Sequence, residues 1–166
     1  MAKKKEQVVE ETPIDETPQT APETVTLTDA DKANFYKSFI MDTPFEAEDL
    51  ILDGGLKLTF RALTSKQSLD VYSFLKEEQS AGLLTNDINY MSKVTIYRLV
   101  QALIKVNDLE FMPGKSVQEK AEVAVSWPSF KLSAYCDAFR VFEDKIVALT
   151  KEVTTENFWL AAKQFS

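Results

Sequence analysis

The chain has 166 residues, enough for one domain and an appendage, with 45% hydrophobic residues and a formal net charge of −7. It contains no histidine, one cysteine and four glycines, which argues against histidine-based catalysis, zinc binding, an intramolecular disulfide and a glycine-rich phosphate loop. The acidic balance opposes nucleic-acid binding, and no apolar stretch is long enough to predict a membrane span.

Residues 1–27 differ in composition from the rest of the chain. They hold three prolines, three lysines against six acidic residues, and no aromatic residue. Such a segment buries too little apolar surface to offset the entropy lost on ordering, so we predict an acidic N-terminal arm that is disordered in isolation. A solubilising tail is the favoured interpretation of this arm, and an arm that becomes ordered on a partner is the alternative.

The first ordered elements are predicted to be a short helix and a β-hairpin. Thr28 and Asp31 form the pattern of a capping box, and the helix they open ends before Pro44. From Phe45 to Leu63 the apolar residues alternate with polar ones on both sides of Asp53-Gly54-Gly55. Two alternating runs around such a turn predict a hairpin with one buried face.

Two longer helices follow in the prediction. A capping box at Thr64–Gln67 opens a helix that continues to about Gln79. The next helix begins at Thr85 or Asn86, and its apolar positions continue to Ile104. Because these positions cover much of the circumference, we expect this helix at the centre of the fold.

A turn and a short extended piece come next. Asn107–Asp108 predicts the turn, and Leu109–Met112 the extended piece. Ser116 and Glu119 then form a capping box that opens a helix to about Ser126.

A break at Trp127–Pro128 separates this helix from the last long one, which starts at Ser129. Thr154 or Thr155 is a candidate cap before the C-terminal aromatics. The elements predict an α+β fold, mostly helical, with four to five helices and one β-hairpin in a single domain over residues 28–166. The last long helix carries an apolar stripe at Tyr135, Ala138, Phe139, Phe142, Ile146 and Leu149.

No catalytic, metal-binding or cofactor-binding residue is predicted. The closest carboxylate pairs are Glu46 with Glu48, Glu77–Glu78 and Glu143–Asp144, and we interpret them as solvated surface residues. A carboxylate-only hydrolase would instead need two carboxyl groups facing one cleft. Cys136 is predicted to pack as a small hydrophobic residue, since no histidine is present to activate it.

Four large aromatic residues are the candidates for binding a partner: Trp127, Phe130, Phe158 and Trp159. Packing in the core is the favoured interpretation for Trp127 and Phe130. For Phe158 and Trp159 docking onto the domain and contact with a partner are about equally favoured.

The order of elements from Asn34 to Trp159 resembles the tail assembly chaperones and related small tail proteins of long-tailed bacteriophages. The strings that carry the resemblance are FEAEDLILDGGLKLTFRALTSKQ, IYRLVQALIKVND and FRVFEDKIVALTKEVTTENFW. The acidic, proline-containing arm departs from this pattern. The resemblance supplies no catalytic residue.

The resemblance implies a non-enzymatic, chaperone-like protein that binds the tape measure protein or tail tube subunits in the cytoplasm of a bacterial host. The charge balance and the short apolar stretches, independently of the resemblance, predict no nucleic-acid or membrane partner; no cofactor is predicted, and self-association is left open. One alternative is a permanent structural protein of the virion, whose N-terminal arm packs on neighbouring subunits. Another is an adaptor that recruits a host factor through that arm.

Overall fold

Five helices and one four-stranded antiparallel sheet make up the part of the chain that the computed structural model describes, which is residues 26–52, 55–84 and 87–153. This architecture confirms the predicted α+β, mostly helical fold. The predicted arm falls almost entirely outside the described residues, as does the predicted cap at Thr154 or Thr155. The elements are α1 (Asp29–Ile40), β1 (Glu46–Leu52), β2 (Leu56–Arg61), α2 (Ser65–Ser80), α3 (Asp87–Ala102), β3 (Leu103–Val106), β4 (Leu109–Glu110), α4 (Val117–Val125) and α5 (Ser129–Val153).

Three helices begin at the capping boxes that the sequence predicts. In each box the cap hydroxyl accepts a hydrogen bond from the backbone N–H three residues on, and that residue's side chain accepts one from the N–H of the cap. These bonds satisfy backbone groups that the first turn of a helix leaves without partners. The boxes are Thr28–Asp31 before α1, Thr64–Gln67 before α2 and Ser116–Glu119 before α4.

The predicted hairpin is present as β1 and β2, and its outer face is charged. Glu46 lies directly opposite Arg61 in the register, and the Arg61 guanidinium lies 2.7 Å from the Glu46 carboxylate. Lys57 pairs with Glu48 along the same face. Gly55 follows the turn with a φ of +112°, a conformation that a side chain would strain.

A second hairpin, formed by β3 and β4, extends the sheet beyond the one hairpin predicted. The helix expected to reach Ile104 ends at Ala102, and the chain passes directly into β3, which pairs with β2. Asn107 occupies a left-handed position at the turn (φ +53°), and its side-chain oxygen accepts a hydrogen bond from the backbone N–H of Lys57 at 2.9 Å. A short apolar run without glycine or proline fits helix and strand equally well, and pairing with β2 decides it here.

The core lies between the inner face of the sheet and the helices. Phe60 of β2 is fully buried, with its ring 5.7 Å from that of Phe139 and 5.4 Å from that of Phe142, both on α5. The predicted aromatic stripe of α5 is therefore the stripe that covers the sheet. Helix α3 contacts α2, α4 and α5, which confirms its predicted central position.

Helix α1 contacts the chain leading into β1 and the last turns of α5. Phe35 is its only buried residue, and the Phe35 ring meets the Phe45 ring edge-on at 5.5 Å. Lys32 forms an ion pair with Glu152 near the end of α5 at 3.0 Å. The start of α1 is thus fixed against the last turns of α5, while its C-terminal turn exposes apolar side chains.

Candidate functional site

The aromatic residues proposed as partner contacts lie in different environments. Trp127 packs against the core, with its ring 6.1 Å from Phe111 and 4.9 Å from Tyr135. The Lys131 ammonium lies 4.3 Å from the centre of the Trp127 ring, a cation–π contact that covers its outer side. These contacts agree with the interpretation of Trp127 as a core residue.

Phe130 does not pack in the core, so the favoured sequence interpretation of this residue was wrong. Its side chain is 78% exposed. Phe130 is the second residue of α5 and points about 140° around the helix from Tyr135, which belongs to the buried stripe. Phe158 and Trp159, the other two candidates, lie outside the described residues.

The carboxylate pairs are less uniformly solvated than predicted. Glu46 and Glu48 are exposed as expected. Glu78, however, lies between α2 and α3, where it accepts a hydrogen bond from the Tyr97 hydroxyl at 2.6 Å and one from the Lys93 ammonium at 3.2 Å. The face of α2 that carries Glu78 turns toward α3, so this carboxylate joins the two helices.

Glu143 is likewise partly buried, in a cleft of about 410 Å³ between the end of β2, α3 and α5. Burial raises the pKa of its carboxyl, the neighbouring Asp144 adds to the rise, and Arg98 opposes it. Arg98 forms an ion pair with Glu143, and the second arginine of the cleft, Arg61, is paired with Glu46. Both arginines of the cleft are therefore engaged in joining elements to each other.

Cys136 has the environment of a packing residue. It is partly buried on α5 and packs against the core. Burial raises the pKa of its thiol, and the adjacent Asp137 adds to the rise, so the reactive thiolate is disfavoured.

The described residues contain neither a metal-binding cluster nor a membrane-spanning helix. Within residues 26–52, 55–84 and 87–153, no three histidine, cysteine or acidic side chains converge as a metal site would require. Over the same residues, no helix is both long and apolar enough to cross a membrane.

A cavity of about 790 Å³ lies beside α1, and we call it the α1 groove. Helix α1, the chain leading into β1, the connection between β2 and α2, and the end of α5 form its walls. Its volume lies within the range of sites that bind ligands or side chains of a partner. Among the residues that line it are Phe35, Phe39, Phe45, Leu63, Ser65 and Thr150.

A second apolar region begins one helical turn from the α1 groove. Leu69 and Tyr72 lie on the outer side of α2, with side chains 66% and 54% exposed, and we call them the α2 face. Leu69 is four residues after Ser65 of the groove wall, a rise of about 6 Å along the helix. The buried residues of α2 are Val71 and Leu75, on another side. The helix thus carries, besides its buried apolar side, two apolar side chains that are more than half exposed.

The helical spacing of Leu69 and Tyr72 is the sequence signal for the α2 face. Leu69, Tyr72 and Lys76 share a helical side distinct from that of Val71 and Leu75, so one of the two sides had to be exposed. Which side faces the core depends on how α2 packs on α3. Periodicity alone does not contain that information.

Comparisons with known proteins found no matching family model, no similar curated protein and no similar solved structure.

Proposed function

We propose that this protein is a non-enzymatic, chaperone-like tail assembly protein of a long-tailed bacteriophage. It binds a tail component, the tape measure protein or a tube subunit, through the α2 face. The observation that carries the binding role is the exposure of Leu69 and Tyr72 on one side of a helix whose other apolar side is buried.

The chemistry of the α2 face suits a protein partner. Burial of leucine and tyrosine side chains in an interface is favourable by about 25 cal/mol per Å² of apolar surface removed from water. Tyrosine is enriched among residues that dominate binding energy, because its ring buries a large area while its hydroxyl finds a hydrogen-bond partner. Surrounding residues of α2, including Lys66 and Lys76, are charged and exposed, so the apolar pair has the polar rim typical of an interface.

The assignment to tail assembly is supported by the resemblance in the order of elements. The hairpin of β1 and β2, the capped helix α2 and the late helix α5 occur in the order that the resembling strings predict. This agreement supports the layout on which the resemblance depends. The identity of the partner follows from the resemblance and is the part that needs a direct test.

Co-purification from cells in which tails assemble tests the proposal. We expect the affinity-tagged protein to retain the tape measure protein or a tube subunit, identified by mass spectrometry. Recovery of no tail protein under these conditions would contradict the proposed function.

The presence or absence of this protein in purified phage particles distinguishes a chaperone from a permanent virion protein. A chaperone is present in the lysate and missing from purified particles. Many copies per particle would instead identify a permanent structural component.

A further inference from the structure

The described residues cover only one side of helix α1. Phe35 is buried, whereas Phe39, Ile40 and Met41 each expose more than half of their side chains. The α1 groove of about 790 Å³ lies along one side of the helix, and a smaller cavity of about 360 Å³ lies along another. An apolar helix end flanked by two cavities has the form of a binding surface for a short apolar segment.

The end of α5 brings the next residues of the chain to this surface. Thr150 lines the α1 groove, and α5 is described to Val153, less than one turn further along the chain. Glu152 in the same turn pairs with Lys32 of α1. The described part of α5 therefore ends close to the groove, and the thirteen residues 154–166 would span roughly 45 Å if extended.

The composition of residues 154–166 fits a groove that has both apolar and polar walls. The segment contains three aromatic residues, Phe158, Trp159 and Phe165, beside Leu160, and only two charged side chains, Glu156 and Lys163. The groove offers aromatic and aliphatic walls at Phe35, Phe45 and Leu63, and hydroxyl groups such as those of Thr64 and Thr150 line the rest of it. Covalent attachment beside the groove gives the segment a high effective concentration there, which favours it over a second copy of the chain.

We propose that residues 154–166 dock onto α1 of the same chain, with Phe158 and Trp159 seated in the α1 groove. Docking buries the exposed end of α1 and anchors that helix to the domain. It assigns Phe158 and Trp159 to packing on the domain, one of the two roles the sequence left open. The proposal concerns the free protein and does not depend on its role in tail assembly.

Tryptophan fluorescence tests the docking directly, because the chain contains two tryptophans. In a Trp127→Phe variant of the full chain, Trp159 is the only reporter. We expect its emission at shorter wavelength, and its quenching by acrylamide several-fold weaker, than in the same variant unfolded in urea. Emission and quenching equal to those of the unfolded chain would overturn the proposal.

Matched variants show whether the α1 groove is the place of docking. Adding Phe39→Ser should shift Trp159 emission to longer wavelength and increase its quenching, whereas adding Phe130→Ser should leave both unchanged. Both phenylalanines are largely exposed, so the comparison controls for the loss of a surface ring. An equal effect of the two substitutions, or protection of Trp159 that weakens on dilution, would contradict docking within one chain.

Hydrogen exchange provides a readout with Trp127 intact. We expect the amides of α1 to exchange several-fold faster in a Phe158→Ala/Trp159→Ala variant than in the wild type. The amides of α4, which is distant in sequence and does not line the α1 groove, serve as the internal control. Unchanged exchange in α1 would overturn the proposal.

Discussion

Glu78 illustrates what single residues contribute to this fold. Its carboxylate accepts hydrogen bonds from Tyr97 and Lys93, so one residue of α2 holds two side chains of α3. Tyr97 itself is almost fully buried. A buried hydroxyl that bonds a carboxylate is costly to remove, because the carboxylate then loses a donor that water cannot fully replace.

Tyr97→Phe is expected to lower the free energy of unfolding by about 2 kcal/mol, the usual cost of losing a hydrogen bond to a charged group. The matched control is Tyr72→Phe, which removes the hydroxyl of a half-exposed tyrosine and should change stability by less than about 0.5 kcal/mol. Urea unfolding of the two variants measures the difference. Equal effects would contradict the role assigned to the Tyr97–Glu78 bond.

The same bond predicts a dependence of stability on alkaline pH. Burial, and then the hydrogen bond to Glu78, raise the pKa of the Tyr97 hydroxyl above its ordinary value of 10.0. Because the folded-state pKa is the higher one, this contribution to stability is fully present below pH 10 and is lost as the pH rises above it. Wild-type stability should therefore fall more steeply above pH 10 than that of Tyr97→Phe, as measured by urea unfolding at a series of pH values.

At the scale of elements, local sequence determines where helices start, whereas packing between elements determines some of their ends. All three capping boxes could be predicted, because a cap depends on residues three positions apart. The end of α3 at Ala102 could not, because the pairing of β3 with β2 joins residues more than 40 positions apart. The exposure of Phe130 was missed for a similar reason, since the orientation of α5 depends on the sheet it covers.

Two of the capping boxes differ in a way that predicts different responses to pH. Thr64 is paired with the neutral Gln67, and Ser116 with Glu119, whose pKa is lowered first by the hydrogen bond from the Ser116 backbone. A lowered folded-state pKa gives stability that is present above the ordinary pKa and lost as the pH falls.

Thr64→Ala should therefore cost about 1 kcal/mol both at pH 7 and at an acidic pH of about 3, well below the ordinary pKa of a glutamate. Ser116→Ala should cost more at pH 7 than at the acidic pH, because protonation of Glu119 removes part of the box in the wild type as well. Urea unfolding at the two pH values makes the comparison. An effect of Ser116→Ala that is independent of pH would contradict the role of the Glu119 charge.

At the scale of the whole molecule, two of the regions that expose apolar side chains, the end of α1 and the α2 face, lie close together. The α1 groove and the α2 face lie within about one helical turn of each other, and docking of residues 154–166 in the groove would place aromatic side chains beside Leu69. The fold class could be predicted from periodicity and caps. The candidate site could not, because the exposed side of α2 is fixed only when that helix packs on α3.

The measurement that tests the central claim most directly is retention of tail components by variants of the α2 face. Leu69→Gln/Tyr72→Gln removes the exposed apolar pair, and Leu83→Gln/Met91→Gln removes an equally exposed apolar pair elsewhere. Leu69, Tyr72 and Met91 lie in helices, where glutamine is well tolerated, and Leu83 lies in the connection between α2 and α3. Both variants should therefore fold, which circular dichroism checks.

We expect the first variant to retain a tape measure or tube protein at least about tenfold more weakly than the wild type, since 1.4 kcal/mol of lost interface energy has that effect. The second variant should retain it normally. Equal retention by all three proteins would contradict the assignment of the α2 face as the binding surface.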